Sequence, residues 1–575
     1  MGTQMSTDFD VIVIGSGISG GWAAKEFCEQ GLKTLVLERG RHLDHPSDEY
    51  TDFQTPWDME HRGMVPEIYD EQGRYRMLKQ KGWTYRNETI QFFVDEKEHP
   101  YSYPEERPFM WTRGYQLGGR SLTWARQSYR WGPKDFESNA KDGHGVDWPI
   151  RYDDLAPWYD YVEAFAGISG AADGLGNLPD GDFLKPWEMS CAENFVANNI
   201  NQSFDDRRMI IGRCANLSEA KDHHTALGRG RCQSRNYCMR GCSYGAYFSS
   251  LSATLPAADR TGNLTIATDS IVSEIVFDPD TKRATHVKVV DYHTKQERLY
   301  SAHLIFLNAS AIGSTQILLN SKSEANPNGL ANASGQLGNY IMDHFGHAGA
   351  NGVVPGLDDR FEFGRKPTGI YIPNYRHDRS EDQGFYRGFG FQGGANRQRT
   401  GHSGSHAGIG LEAKAKTGRW KPWTFGIGMF GEMLPYADNT ARLHPTKTDK
   451  WGIPLVHLDC HIRENERKMI RKAEKDAVEL LSAGGCVDIS SSRTPDDEHV
   501  LVGGKTHEMG GACMGRDPST SVLNEWNQAH EVANLFVTDG ACMSSCGTAN
   551  PSLTYMALTA RAAHHAVELL KEGQL

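Results

Sequence analysis

Phe9-Asp-Val-Ile-Val-Ile-Gly15-Ser-Gly17-Ile-Ser-Gly20-Gly21, followed by Lys33-Thr-Leu-Val-Leu-Glu38-Arg-Gly40, decides how the rest of the chain is read. Phe9 to Ile14 is apolar apart from Asp10 and reads as a buried parallel strand. Gly15, Gly17 and Gly20 follow in G-x-G-x-x-G spacing, and Ala23, Ala24 and Phe27 continue as one helix face. Lys33–Leu37 is a second strand, closed by Glu38, 23 residues after Gly15. Gly15 allows the tight turn, Gly17 lets a pyrophosphate approach the backbone, and Gly20 lets helix and strand pack closely. The helix N-terminus offers unpaired amides to phosphates, and Glu38 can accept hydrogen bonds from a ribose diol. Two flanking strands and an acid in place favour a dinucleotide site over an ordinary glycine-rich turn. They do not choose FAD over NAD.

At 575 residues the chain calls for two closely packed domains rather than one core. Its 61 basic against 73 acidic residues give a net charge of −12, which argues against nucleic acid as a partner. The 13 Trp and 22 Tyr suit core packing or the stacking of sugar rings in a substrate pocket. No apolar run is long enough to span a membrane. Met1–Asp8 is polar and has no apolar signal-peptide core, so a cytoplasmic location is expected. Export beside a partner that bears its own signal is the alternative. The 11 Cys are odd in number and mostly scattered, unlike a disulfide framework.

Along the chain, 41–110 reads as a long insertion rich in charge and aromatics, lying over the cofactor. In 111–126, Gly114, Gly118 and Gly119 permit a turn beside a flat ligand. Tyr152–Gly167 is a helix candidate. Short runs at Leu264–Ala267, Ile271–Phe277, Ala284–Asp291, Glu297–Tyr300 and His303–Leu307 predict a β-meander, and Ala311–Ser321 a helix. Residues 330–460 suit a large, mostly β unit. Asn465–Ala483 is an amphipathic helix stopped by Gly484 and Gly485. Asn534–Val537 is a short buried strand before Thr538-Asp539-Gly540, and Pro551 opens a long helix to about Lys571.

Three segments together resemble the glucose–methanol–choline (GMC) oxidoreductases. They are the fingerprint ending in Glu38, the stretch Gly118-Gly119-Arg120-Ser121, and His507-Glu-Met-Gly-Gly511 with Leu535–Gly540 and Ala549-Asn550-Pro551-Ser-Leu-Thr554. The likeness is greatest to the pyranose-oxidising branch. The segment Arg231-Cys232 to Cys242-Ser-Tyr-Gly245 is similar to that of bacterial FAD-dependent glucoside 3-dehydrogenases. The resemblance implies an α/β chain with a Rossmann-like FAD-binding domain and a mostly antiparallel β-sheet substrate domain with helices. The FAD-binding domain would comprise 1–45, 111–134, 225–345 and 505–575. The substrate domain and insertions would take 46–110, 135–224 and 346–504, with the Cys-rich loop at 229–250. It further implies an alcohol or sugar substrate, a catalytic pair His507 and Asn550, and cofactor contacts from Gly15, Gly17, Gly20, Glu38, Gly118, Ser121, Asp539, Asn550 and Pro551. Pyranose 2-oxidases carry a flavin-linking His where this chain has Thr123, so noncovalent FAD is expected.

These residue types suit the chemistry. Oxidising a secondary alcohol removes a hydride, for flavin N5, and a hydroxyl proton, which the protein must accept. A neutral His is a suitable base, and His507 is the candidate among 23 histidines. Asn550 can donate its amide to the substrate oxygen, or cap the helix that follows. Asp539 suits the ribityl or pyrophosphate part of FAD, or forms an ordinary Asp-Gly turn. Cys232, Cys238 and Cys242, spaced C-x5-C-x3-C, can hold an iron–sulfur cluster, and the want of an evident fourth ligand favours [3Fe-4S] over zinc. Three unlinked thiols, or one disulfide and a free thiol, are the alternatives. Cys542 and Cys546 read as packing against the flavin domain, and His564 and His565 as helix-surface residues.

The expected reaction is oxidation of the C3 hydroxyl of a glucose-like pyranoside to a 3-keto sugar. Electrons would pass through the cluster to a cytochrome-type acceptor, with a small signal-bearing subunit as partner. The rivals are a 3-oxidase that reduces O2 to H2O2, another polyol or gluconate dehydrogenase, and a nonenzymatic flavin-binding subunit. Asp358, Arg365, Tyr371 and Gln392 are chemically suited to sugar contacts but carry no positional signal.

Overall fold

The computed structural model describes residues 8–81, 84–362, 368–376, 383–397, 410–411, 420–493 and 500–575; Arg365 lies outside them. Phe9–Ile14 and Thr34–Leu37 pair in parallel, as their continuous apolar character requires, and Leu264–Ala267 extends the sheet beyond Thr34–Leu37. Val11, Ile12 and Val13 are fully buried because both sheet faces are covered. The helix Ile18–Glu29 packs on this sheet, and its Phe27 ring meets Phe306 edge-on at 4.7 Å. Burying one such ring contributes ~1.5–3 kcal/mol.

The expected meander is only partly formed. Leu264–Ala267 pairs in parallel with Thr34–Leu37 and does not join the antiparallel hairpin. Glu297–Leu307 is one strand rather than two. Its first half, Glu297–Ser301, pairs antiparallel with Arg283–Asp291, which pairs in turn with Ser270–Asp278. Its second half, Ala302–Leu307, runs parallel to Phe9–Ile14 on one side and, over Ile305–Leu307, to Leu535–Val537 on the other. Asn534 secures the junction. Its carboxamide accepts from Ala284 N at 2.8 Å and donates to the carbonyls of Ala284 and His303, both at 2.9 Å.

The second sheet is antiparallel throughout, in the order Val487–Arg493, Ala348–Val354, Trp423–Gly431, Phe389–Asn396, Ile370–Ile372, Ile210–Ile211. One face carries Phe389, Phe391, Phe425, Ile427 and Met429, buried beneath the helices Glu464–Ala483 and Cys191–Ser203. The opposite face carries Gln392 and Phe430 among Gly390, Gly394, Gly426 and Gly428, by the period-two rule of strands. A Cβ at Gly428 would meet nothing within 4 Å, so this face leaves open space.

The helix Ser552–Lys571 packs against Ile18–Glu29 and Tyr152–Ala166. His564 on it is half-buried rather than a plain surface residue, because its Nε2 lies 2.8 Å from the buried Glu26 carboxylate. His565 stacks on Trp526 at 4.0 Å. Among the described residues no helix is long and apolar enough to cross a membrane.

Candidate active site

The fingerprint turn is shaped by what a side chain would strike. Gly15 has φ +98°, and a Cβ there would lie 2.3 Å from Asn308 O. A Cβ on Gly20 would lie 1.9 Å from Gly15 O, so helix and strand touch backbone to backbone. At Gly17 a Cβ would meet nothing within 4 Å, and the helix that starts there has no side-chain cap. Gly17, Ile18 and Ser19 line a cavity, so this helix end faces it. The turn Gly118–Ser121 closes over this corner: Gly118 N donates to Ser16 Oγ at 2.9 Å, and Ser121 Oγ donates to Gly118 O at 2.6 Å.

Two cavities meet here, sharing Gly17, Thr112, Arg120 and Asn308 in their walls. The first is lined by Gly15 and Glu38. Glu38 accepts from Ser16 and from Gly40 N, and burial pushes its carboxyl upward. The second measures about 400 Å³ and is lined by Ser121, His507, Asp539, Asn550 and Pro551, a volume within the range of small-molecule sites. Asp539 accepts from Ser314 Oγ and from Ala541 N at 2.9 Å, and burial raises its carboxyl to about 6. Asn308 Nδ2 and Tyr555 Oη, in these walls, are buried without hydrogen-bond partners among the described residues. A helix N-terminus in the wall, unpartnered polar groups and two adjoining cavities fit a dinucleotide such as FAD.

His507 and Asn550 converge in the second cavity: Asn550 Nδ2 lies 3.4 Å from His507 Nε2. The Asn550 carboxamide does not cap the helix Ser552–Lys571, whose N-cap residue is Pro551 and which has no side-chain cap. Its Oδ1 accepts from Gln392 Nε2 at 2.6 Å. Pro551, Ser552 and Tyr555 bring the positive end of that helix to the cavity wall. Burial pushes the His507 imidazole well below 6.5, and His344, Arg120, Lys505 and Lys81 reinforce the shift. A buried charge layer lies around the segment. Arg120 donates to Glu508 at 2.7 Å, and Lys81 donates to Gly503 O at 2.8 Å. Burial lowers Lys81 and Lys505 to about 8 and raises Asp343 to about 7. The arrangement can accept a proton at His507 Nε2 and donate a hydrogen bond from Asn550 to the same oxygen.

The cysteine loop adjoins this cavity, whose wall includes Met239 with Trp124, Arg126 and Gln127. The 46–110 insertion clamps the loop: Asp52 accepts from Ser243 N, Ser243 Oγ and Arg235. Cys232, Cys238 and Cys242 are all free thiols, as are the other eight. Burial raises the Cys232 thiol to about 11, and Cys238 and Cys242 push it the same way. Among the described residues no group of three His, Cys, Asp or Glu could hold a metal ion directly. A cluster differs from a single ion, because its three thiolates bind separate irons. Ser234 N donates to Cys232 Sγ at 3.5 Å, the kind of amide–sulfur bond that tunes such centres. Three free cysteines within one loop are the donor type that an iron–sulfur group takes.

Sequence reasoning passed over several residues here. Asp343 and His344, beside His507, sit in a stretch with no spacing signal. Gln392 was chemically suited but unplaced until the sheet brought it to Asn550. Of its companions, Tyr371 stacks in the core on Tyr129 at 4.0 Å, and Asp358 is exposed.

Residues 9–346 and 435–559 match the N- and C-terminal family models described as GMC oxidoreductase. The 2-methyl-1,2-propanediol dehydrogenase of Mycolicibacterium austroafricanum is 27% identical, covering 97% of this chain and 95% of that protein. The fructose dehydrogenase large subunit of Gluconobacter japonicus is 25% identical, covering 98% of each. The crystal structure of pyridoxine 4-oxidase from Mesorbium loti shares the fold, with a TM-score of 0.59 at 15% identity, over 97% of this chain and 99% of that one.

Proposed function

The chain belongs to the GMC oxidoreductase family, which oxidises alcohol and sugar CH–OH groups with FAD, and on that premise we propose an FAD-dependent dehydrogenase acting on a secondary hydroxyl, C3, of glucose-like pyranosides. The observation that carries the reading is the meeting of His507 Nε2 and Asn550 Nδ2 at 3.4 Å in a cavity that shares Gly17, Thr112, Arg120 and Asn308 with the cavity of the glycine cradle. C3 rests on the likeness of the His507, Ala549–Thr554 and cysteine segments.

FAD would be held noncovalently by Gly15, Gly17, Gly20, Glu38, Gly118, Ser121, Asp539, Asn550 and Pro551, and would supply the hydride acceptor. The chain's own residues do the rest. The substrate hydroxyl sits between His507 and Asn550. His507, kept neutral by burial and nearby cations, accepts the hydroxyl proton at Nε2. Asn550 donates to the oxygen and holds the carbinol in line, and Gln392 holds Asn550. The positive helix end and the basic side chains favour the negative charge left by hydride transfer.

Cys232, Cys238 and Cys242 would hold a [3Fe-4S] cluster, whose chemistry is one-electron transfer to an outside acceptor. The presence of Met239 in the cavity wall supports this assignment. A cytochrome-type acceptor and a small signal-bearing subunit remain part of the proposal; the name of the fructose dehydrogenase large subunit supports only that a further subunit takes part. Residence in the cytoplasm, or co-export with that subunit, goes with it. A second reading keeps the chemistry and changes the substrate to a polyol or ketose, favoured by the names of the two near-full-length relatives.

Protein purified without oxygen should show flavin absorbance and an iron–sulfur EPR signal, and Cys232→Ser should remove the second alone. Anaerobic turnover with an artificial acceptor should give a C3 ketone by NMR. Peroxide matching the sugar oxidised in air would replace the dehydrogenase with an oxidase. A ketone elsewhere would select the second reading.

A further inference from the structure

His344 is buried behind His507, and its two ring nitrogens have different partners. Nε2 lies 3.0 Å from Gly547 O, and Nδ1 lies 2.7 Å from His507 Nδ1. A main-chain carbonyl can only accept, so His344 Nε2 carries the hydrogen. The Nδ1 of a neutral imidazole protonated at Nε2 is a lone pair. The hydrogen shared between the rings therefore belongs to His507 Nδ1, and His507 Nε2 is left as an acceptor. Asn550 must then present its NH2 side to Nε2, turning its Oδ1 toward the Gln392 amide, as the 3.4 and 2.6 Å contacts have it. Every hydrogen bond from Gln392 to Gly547 points the same way, and the Gly547 carbonyl sets the direction.

The neighbouring residue fixes the backbone of the same segment. Asp343 accepts from Lys505 N at 3.0 Å and from His507 N at 2.8 Å, bracketing Thr506, which holds φ +63°. A non-glycine residue in that region needs support from its surroundings. Asp343 sets the segment and His344 sets the ring.

We propose that His344 is a positioning residue that locks His507 in the Nδ1–H tautomer, so that Nε2, the nitrogen facing Asn550, is the proton acceptor. The inference rests on His507 being the base, as proposed above. Free imidazole favours neither nitrogen strongly enough to supply this selection, and a ring protonated at Nε2 has no lone pair for the substrate hydroxyl.

Two substitutions separate the two nitrogens of His344. His344→Asn puts an acceptor oxygen near the place of Nδ1. His344→Gln puts a donor near the place of Nε2 and leaves His507 Nδ1 without its acceptor. His344→Asn should keep kcat within about threefold, whereas His344→Gln should lose roughly 10²-fold, the scale of a disabled general base. The solvent deuterium isotope effect on kcat should rise in His344→Gln, because O–H cleavage then limits turnover. The reverse order of the two variants, or an unchanged isotope effect in His344→Gln, would overturn the proposal.

If neither variant folds with its flavin, histidine-labelled wild-type protein decides by 15N NMR, with His507→Ala assigning the resonance. A neutral ring protonated at Nδ1 supports the lock, and one protonated at Nε2 ends it. This readout is independent of turnover. An active His507→Ala would remove the base reading, while the tautomer would still report whether His344 orients the ring.

Discussion

The cofactor corner and the substrate-facing cavity meet at Gly17 and Asn308, yet they are assembled by opposite means. In the corner, the turn is closed by residues five apart, with Gly20 pressed on Gly15 and the next strand following directly. In the cavity, Gln392 comes from the strand Phe389–Asn396, and His344, His507 and the Gly547–Asn550 segment from three separate stretches outside the strands, joined by single hydrogen bonds. The corner depends on steric exclusion at Gly15 and Gly20, where no atom can be added. The cavity depends on donor and acceptor direction, which a substitution can weaken by degrees.

Substitutions should expose that contrast. The largest effect is expected from Gly20→Ala. Its Cβ would fall 1.9 Å from a main-chain oxygen that cannot move aside, so flavin absorbance per polypeptide should drop to near zero. Retention of full flavin would show that the corner can yield. Next, His507→Ala should lower kcat by about 10²–10⁴-fold while flavin absorbance stays at the wild-type level. Loss of flavin alongside activity would erase the distinction between the two regions. Gln392→Leu leaves Asn550 Oδ1 without its donor. At about 1.4 kcal/mol it should lower kcat/KM roughly tenfold in steady-state assays.

The smallest effect comes from pH. Burial lowers His344, His347 and His45 to about 4, against 6.5 for an ordinary imidazole. Below 6.5 the unfolded chain therefore binds protons that the folded chain refuses. Stability from these groups is complete above 6.5 and declines as pH falls toward 4. Calorimetry should find a melting temperature lower by a few degrees at pH 5 than at pH 7. His347→Gln should reduce that difference, and an unchanged slope would mean that other groups govern it.

The same contrast explains what the sequence made legible. The fingerprint and the helices at Glu464–Ala483 and Ser552–Lys571 could be located because periodicity and spacing are local properties, whereas His507 and Asn550 were located by their likeness to the motifs of a known family. The merged strand Glu297–Leu307 was read as two because its halves obey different pairing rules while the chain runs straight through. Leu264–Ala267 was read into the β-meander because an isolated four-residue run does not reveal its neighbour. His344 was invisible for a related reason. Its importance lies in which way a hydrogen points, a property set by a carbonyl 203 residues away.

The continuous strand Glu297–Leu307 also constrains how the chain can vary in length. Deleting one residue from it would slide Arg283–Asp291 against one end, or Phe9–Ile14 and Leu535–Val537 against the other, turning buried side chains outward. The exposed bends at 279–282 and 293–296 bear no such restriction. Natural insertions and engineered fusions should gather at those bends, and the strand itself should keep its length even where its composition drifts.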